Sequence, residues 1–146
     1  MIKEKYIEFK QHLANKEIEK AEKAFLEGYD EAVKLLNEKI DKKTYFDVSN
    51  EDELYAVLFI FDNMVGFWAE GEFDIAYQIC NDMFVLVDNP KIKEMFKLYS
   101  YGLDNEIDVN TFMKEYVDLS KIDQEFPMFL LNFKDKINDL IPPKDD

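Results

Sequence analysis

Few residues in this sequence are of the kind that perform covalent chemistry, and their spacing argues against it. The one histidine, His12, lies between Gln11 and Leu13 with no second imidazole to share a metal, and reads as a surface or boundary residue of a helix. The three serines, Ser49, Ser100 and Ser120, stand outside any Gly-x-Ser-x-Gly elbow, and Ser49 has the position of a helix cap. Cys80 is the lone cysteine, so neither an internal disulfide nor a cysteine zinc site can form. Its place on an apolar helix face makes it a core residue. Gly28, Gly66, Gly71 and Gly102 are each isolated, which leaves no glycine-rich phosphate loop.

Carboxylates are abundant, with 32 Asp and Glu, and no pair among them is singled out for acid–base work by spacing alone. One stretch has the rhythm of a calcium loop. Asp104, Glu106, Asp108, Asn110 and Glu115 fall at positions one, three, five, seven and twelve of a twelve-residue span. The sixth position, which needs a glycine for its left-handed backbone, is Val109, and the usual apolar eighth position is Thr111. The expectation is therefore no metal and no cofactor.

The elements that carry these residues are helices. Apolar residues recur at three- and four-residue steps nearly throughout, and no convincing strand is present, Thr44-Tyr45-Phe46 alone being strand-like. A first helix is expected from about Lys3 to Glu27, with an interruption near Asn15 and a stop at Gly28. A second starts after Asp30, and a third after Ser49, with Leu54, Val57, Leu58, Phe61, Met64, Val65 and Trp68 as its core stripe. Gly71 should end that helix. Phe73 to Val87 forms the next, Asn89-Pro90 opens another that Gly102 ends, Asp108 caps a short one, and Pro127 opens the last. The fold class is all-α, about seven helices in an antiparallel α-hairpin array or an irregular helical bundle. At 146 residues with 47% hydrophobic content, the chain is expected to be one domain over 1–146 with a short polar tail at 141–146.

Two segments align if one residue is inserted: Phe25 to Ala32, and Trp68 to Ala76. Each has Glu-Gly, then an aromatic, an Asp and an Ala. The second segment resembles the tetratricopeptide repeat, whose glycine, aromatic and alanine at a helix–helix turn correspond to Gly71, Phe73 and Ala76, with Phe67 as the preceding aromatic. Asn63 and Met64 replace that family's Leu-Gly pair, and the 44-residue offset between Ala32 and Ala76 exceeds its 34. The resemblance implies a helical hairpin and, with it, an adaptor or assembly module.

Charge narrows the function classes. The net charge is -14, every one of the 18 basic residues is lysine, and from Thr44 to Pro90 there are ten acids and no lysine. Direct nucleic-acid binding is disfavoured. No apolar run exceeds the six residues Ala56 to Phe61, too short to span a bilayer. The N-terminus carries no export segment, so the expected location is the cytoplasm. On a helical wheel, Asp52, Tyr55, Phe59, Asp62, Asn63, Gly66 and Glu70 share the sector opposite the core stripe, with Glu72 and Asp74 following. That sector is either an acidic-aromatic docking face or a flank in which Phe59 packs under another helix. The docking reading implies a non-enzymatic protein that binds a basic partner, such as a toxin or nuclease, in the manner of an immunity protein or inhibitor. Homo-oligomerisation is open.

Overall fold

A computed structural model describes residues 1–143. Among these residues the protein is all-α. Its helices are α1 (Ile2–Ala14), α2 (Ile18–Lys42), α3 (Glu51–Ala69), α4 (Phe73–Leu86), α5 (Pro90–Asp104) and α6 (Val109–Glu115), followed by one 3₁₀ turn at Asp135–Asp139. Two isolated bridges, Phe46 with Val87 and Val117 with Phe133, are the sole β pairings among the described residues. Of the expected polar tail at 141–146, Ile141, Pro142 and Pro143 are exposed, and 144–146 lie outside the described residues.

The chain divides into two compact units. The first comprises Met1–Asn63 with Leu86–Asn89, and the second Met64–Val85 with Pro90 onward, so α3 begins in one and ends in the other. In the first unit α1 and α2 meet at a tight link in which Lys16 takes a left-handed φ of 60° and the Glu17 N–H donates to the His12 carbonyl at 2.8 Å. The interruption near Asn15 is thus the real end of the first helix.

Gly28, expected to stop that helix, instead lies inside α2. Together with Ala21, Ala24 and Ala32 it forms a buried seam of small residues. The Phe59 ring rests on this glycine so closely that a Cβ would fall 2.6 Å from one ring carbon and 2.9 Å from another. Glycine here serves close approach rather than termination. Lys43, whose φ of 55° is left-handed, caps the end of α2, with the Thr44 N–H returning to the Lys39 carbonyl at 2.9 Å.

Asn50, one residue past the expected Ser49, caps α3: its Oδ1 accepts from the Glu53 N–H at 3.1 Å. Ser49 closes a preceding turn, donating from its N–H and Oγ to Asp47 Oδ1 at 3.0 and 2.6 Å. All six residues from Ala56 to Phe61 are buried, so α3 is covered on every side there. The expected stripe is buried at Val57, Leu58, Phe61, Met64 and Trp68 and half-buried at Leu54 and Val65.

In the second unit Gly71 forms the link from α3 to α4 with a φ of 81°, and the Glu72 N–H donates to the Phe67 carbonyl at 2.9 Å. Gly28 and Gly71 therefore have different roles, one mid-helix and one in a turn, and the proposed internal repeat does not hold as a structural repeat. Gly102 repeats the surprise of Gly28: it lies buried within α5, beneath the Phe112 ring. Trp68, Tyr99, Phe112 and Phe133 pack around this point with ring centroids 5.0–6.5 Å apart. The Trp68 Nε1–H donates to the Ile107 carbonyl at 2.8 Å.

The helix expected from Pro127 is absent. Residues 117–134 instead form an irregular excursion whose two ends are tied by Asp118 N–H to the Asn132 carbonyl and Lys134 N–H to the Tyr116 carbonyl, both at 2.8 Å. Two features replace the helical bonds. Asp123 Oδ2 accepts from the N–H groups of Glu125 and Phe126, and Tyr99 OH donates to the Leu130 carbonyl at 3.0 Å. A tertiary contact has overridden a local start signal.

Candidate functional site

The acidic-aromatic sector of α3 is an interior surface. Within the first unit Phe59 is fully buried, with Tyr6 and Phe25 edge-on to it at centroid distances of 5.1 and 5.4 Å. Tyr55 is half-buried 5.6 Å from the Tyr6 ring. Asp62 accepts from Tyr6 OH at 2.7 Å, and the next residue, Asn63, donates from Nδ2 to Tyr29 OH at 2.9 Å. Two consecutive polar residues of α3 thus each hold one tyrosine, the first on α1 and the second on α2. Phe59 is no docking anchor. It packs under other helices, the second of the two readings that the wheel allowed.

The missing lysines of the acidic middle come from the first 43 residues. Lys3 Nζ lies 3.0 Å from Glu51, the N-terminal ammonium 3.3 Å from Asp52, and Lys39 Nζ 2.6 Å from Glu53. Desolvation pushes the Asp52 carboxyl up, but hydrogen bonds from the Lys3 N–H and the N-terminal ammonium together outweigh it and hold the group below its ordinary range. Three of the ten acids in that block, those on the first turn of α3, are therefore answered by cations inside the first unit.

Asp62 behaves in the opposite sense. Burial among rings raises its carboxyl above the ordinary range, with the Tyr6 hydrogen bond and the Lys10 charge acting against that rise. A raised folded-state pKa means that the folded protein binds the proton more tightly, so this group's contribution falls as pH rises from the ordinary aspartate value, near 4, through the folded one. Asp62→Asn keeps an acceptor for Tyr6 and removes the charge. It should raise the melting temperature at pH 7, with the gain over wild type shrinking as pH falls toward 4. Paired thermal melts across that range check it, and an Asn variant less stable at pH 7 would show that the ionised form is the favoured one.

What remains exposed of the expected site lies in the second unit. Glu70, Glu72 and Asp74 surround the Gly71 turn and make no ion pair among the described residues. They continue onto the outer side of α4, where Asp74, Ile75, Gln78, Asp82 and Val85 share one exposed stripe; Gln78 donates to Asp82 at 2.8 Å. Ile75 and Val85 are 43% and 61% exposed. No lysine occurs on this helix. α4's other side is core, and burial there pushes the Cys80 thiol far above its ordinary range, which removes it as a nucleophile. Sequence reasoning missed the exposed Asp82 and Val85, although their spacing from Asp74 and Gln78 was available on the same wheel.

The calcium-loop candidates do not converge. Asp104 ends α5, Asn110 and Glu115 lie within α6, and Asp108 is the α6 cap, accepting from the Thr111 N–H at 3.0 Å and from its hydroxyl at 2.6 Å. Glu115 faces Lys136 at 3.6 Å. Among the described residues no three His, Cys, Asp or Glu side chains gather to hold a metal. His12 lies 3.2 Å from Glu17 beside a shallow hollow of about 260 Å³ between α1 and α2. No helix among the described residues is long and apolar enough to cross a membrane. No family model matches the chain, and neither a curated protein nor a solved structure is found to be similar to it.

Proposed function

We propose that this chain is a non-enzymatic, cytoplasmic helical binding protein that engages a basic protein through the Gly71 turn and the outer stripe of α4, as an immunity protein or inhibitor would engage a cationic toxin or nuclease. The observation that carries this reading is that Glu70, Glu72, Asp74 and Asp82 are exposed and free of ion pairs among the described residues, whereas the acids on the first turn of α3 have lysine or ammonium partners. Carboxylates of this kind accelerate encounter with a cationic surface and make the association salt-dependent. Ile75 and Val85 add apolar area between them, as binding faces require.

Neutralising the four acids together, as Glu70→Gln, Glu72→Gln, Asp74→Asn and Asp82→Asn, should weaken capture of basic proteins from native lysate at low salt by tenfold or more. The folded core is untouched by these changes. Equal capture by wild type and variant would sink the reading. A second reading, an adaptor like a tetratricopeptide module, draws on the left-handed Gly71 and the fully buried Ala76, two of the features on which the resemblance rests. It predicts binding that is insensitive to salt and more sensitive to Ile75→Ser with Val85→Ser than to charge neutralisation.

A further inference from the structure

Few buried groups hold α1 to the first unit. Of its thirteen residues only Ile2 and Tyr6 are fully buried, and Ile7 and Leu13 are 40% and 39% exposed. The ion pairs along its sides, Lys3 with Glu51 and Lys5 with Glu27, are largely solvated and contribute little. Isolated helices shorter than about 12–15 residues are marginal in water, so α1 does not persist as a helix once it leaves its neighbours. Docking and helix formation are therefore one event for this segment, and its joint to α2 is the single left-handed turn at Lys16.

What α1 covers is the acidic-aromatic face of α3. Tyr6 lies edge-on to Phe59 at 5.1 Å and 5.6 Å from the Tyr55 ring, and Phe9 packs on Phe25 at 5.0 Å. The Tyr6 hydroxyl reaches past these rings to donate to Asp62 at 2.7 Å. From α1 the Asp62 carboxyl is faced by Tyr6 and Lys10, and α2 supplies Tyr29, which is occupied by the neighbouring Asn63. We propose that α1 is a latch over this face, closed most firmly when Asp62 is protonated and loosened as the carboxyl ionises.

The direction of the effect is set by what α1 does to Asp62. With α1 docked the carboxyl is half-buried, and burial holds it above the ordinary range although the Tyr6 hydrogen bond and the Lys10 charge reduce the rise. With α1 lifted the Tyr6 ring departs, water reaches the carboxyl, and it returns toward the ordinary value near 4. A group that binds its proton more tightly in the docked form favours docking at low pH, and that advantage is lost as pH rises from the ordinary value through the docked one. Within this window the opening constant rises by at most about tenfold per pH unit, and above it the constant levels off. In the open form Tyr55, Phe59 and an ionised Asp62 are presented together, a face that the closed form hides. His12, also on α1, is the titratable group to be controlled for; it meets Glu17 at 3.2 Å, at the joint with α2.

Amide hydrogen exchange of the full chain from pH 4.5 to 7.5, each rate divided by its intrinsic value, tests this. Amides of residues 6–13 should open at least about tenfold more readily than those of residues 57–61 in α3, as a locally opening segment does. Their opening should grow at least about threefold from pH 4.5 to pH 7.5. Asp62→Asn should flatten that rise and His12→Gln should keep it. Tyr6→Phe, which takes the donor from the carboxylate and keeps the ring, should raise opening at pH 7.5. Protection of α1 equal to that of residues 57–61 would overturn the inference, because α1 would then leave only when the whole unit unfolds. So would opening that does not change with pH, a rise that survives Asp62→Asn, or one that disappears in His12→Gln.

Discussion

Truncating Phe59 to alanine is expected to cost about 3–5 kcal/mol of folding stability, the range for removing a large aromatic from a packed core. An exposed docking residue would cost well under 1 kcal/mol to truncate, so denaturant unfolding of Phe59→Ala separates the two roles directly. The ring is fully buried, lies on Gly28 and contacts Tyr6 and Phe25. A double-mutant cycle sharpens the prediction. Alanine at a mid-helix glycine normally gains up to about 1 kcal/mol, yet Gly28→Ala should destabilise wild type by about 1–3 kcal/mol because the new methyl meets the ring. In the Phe59→Ala background the same change should become neutral or stabilising. Coupling of that sign shows that the glycine is retained for the ring and not for the backbone.

The second large effect is expected at Glu53. Its carboxylate lies 2.6 Å from Lys39 Nζ with both side chains only 16% exposed, and it also accepts the Asp47 N–H at 3.0 Å. Removing one member of an enclosed ion pair leaves the other charge desolvated and alone, so Glu53→Ala should cost about 2–4 kcal/mol. Glu53→Gln should cost less, since the amide oxygen can still accept from Asp47 while the charge on Lys39 loses its partner. Pairs such as Lys42 with Glu38, more than half exposed at both ends, should contribute a few tenths of a kcal/mol in the same unfolding assay. The contrast is measurable by chemical denaturation at fixed ionic strength. Glu53→Ala falling within about 0.5 kcal/mol of wild type would show that the pair is solvated.

What the residues reveal in advance depends on whether the cause is local. The start of α4 at Phe73, the turn at Gly71 and the Asp108 cap of α6 were all readable, because each is fixed by groups within four residues of one another. Gly28 and Gly102 were misread for one reason. A glycine that ends a helix and a glycine that admits a ring are the same letter, and the rings concerned, Phe59 and Phe112, lie 31 and 10 residues away. The segment after Pro127 has a sound helix start, but Tyr99 takes the Leu130 carbonyl, and nothing near Pro127 announces that.

The two readings of the acidic-aromatic sector stay open in the sequence for a different reason. A helical wheel groups residues by direction without saying how many directions are covered. A usable signal was present: the unbroken apolar run from Ala56 to Phe61 occupies every side of the helix, as a segment surrounded by neighbours does. The lysine-free block was likewise legible as an asymmetry, while the lysines that answer it on α1 and α2 are separated from it by at least 14 residues and in the case of Lys3 by 48. Of the acids on that sector, those at the Gly71 turn stay exposed and run on into the outer stripe of α4.

The contact between Phe46 and Val87 has a consequence for biosynthesis. The Phe46 N–H donates to the Leu86 carbonyl at 2.8 Å, and both Phe46 and Val87 are fully buried. The first unit is therefore interrupted in sequence: it draws its last residues from beyond a 22-residue departure that belongs to the other unit. On the ribosome, α1, α2 and the start of α3 emerge first, yet the Phe46 bond to Leu86 cannot form until Leu86 has been made and has left the exit tunnel. Closing a loop of about 40 residues is entropically cheap relative to burying two apolar side chains, so this delay is set by elongation rather than by the search for the contact. The first unit therefore completes its pairing at Phe46 only after the segment that holds Leu86 and Val87 has been synthesised.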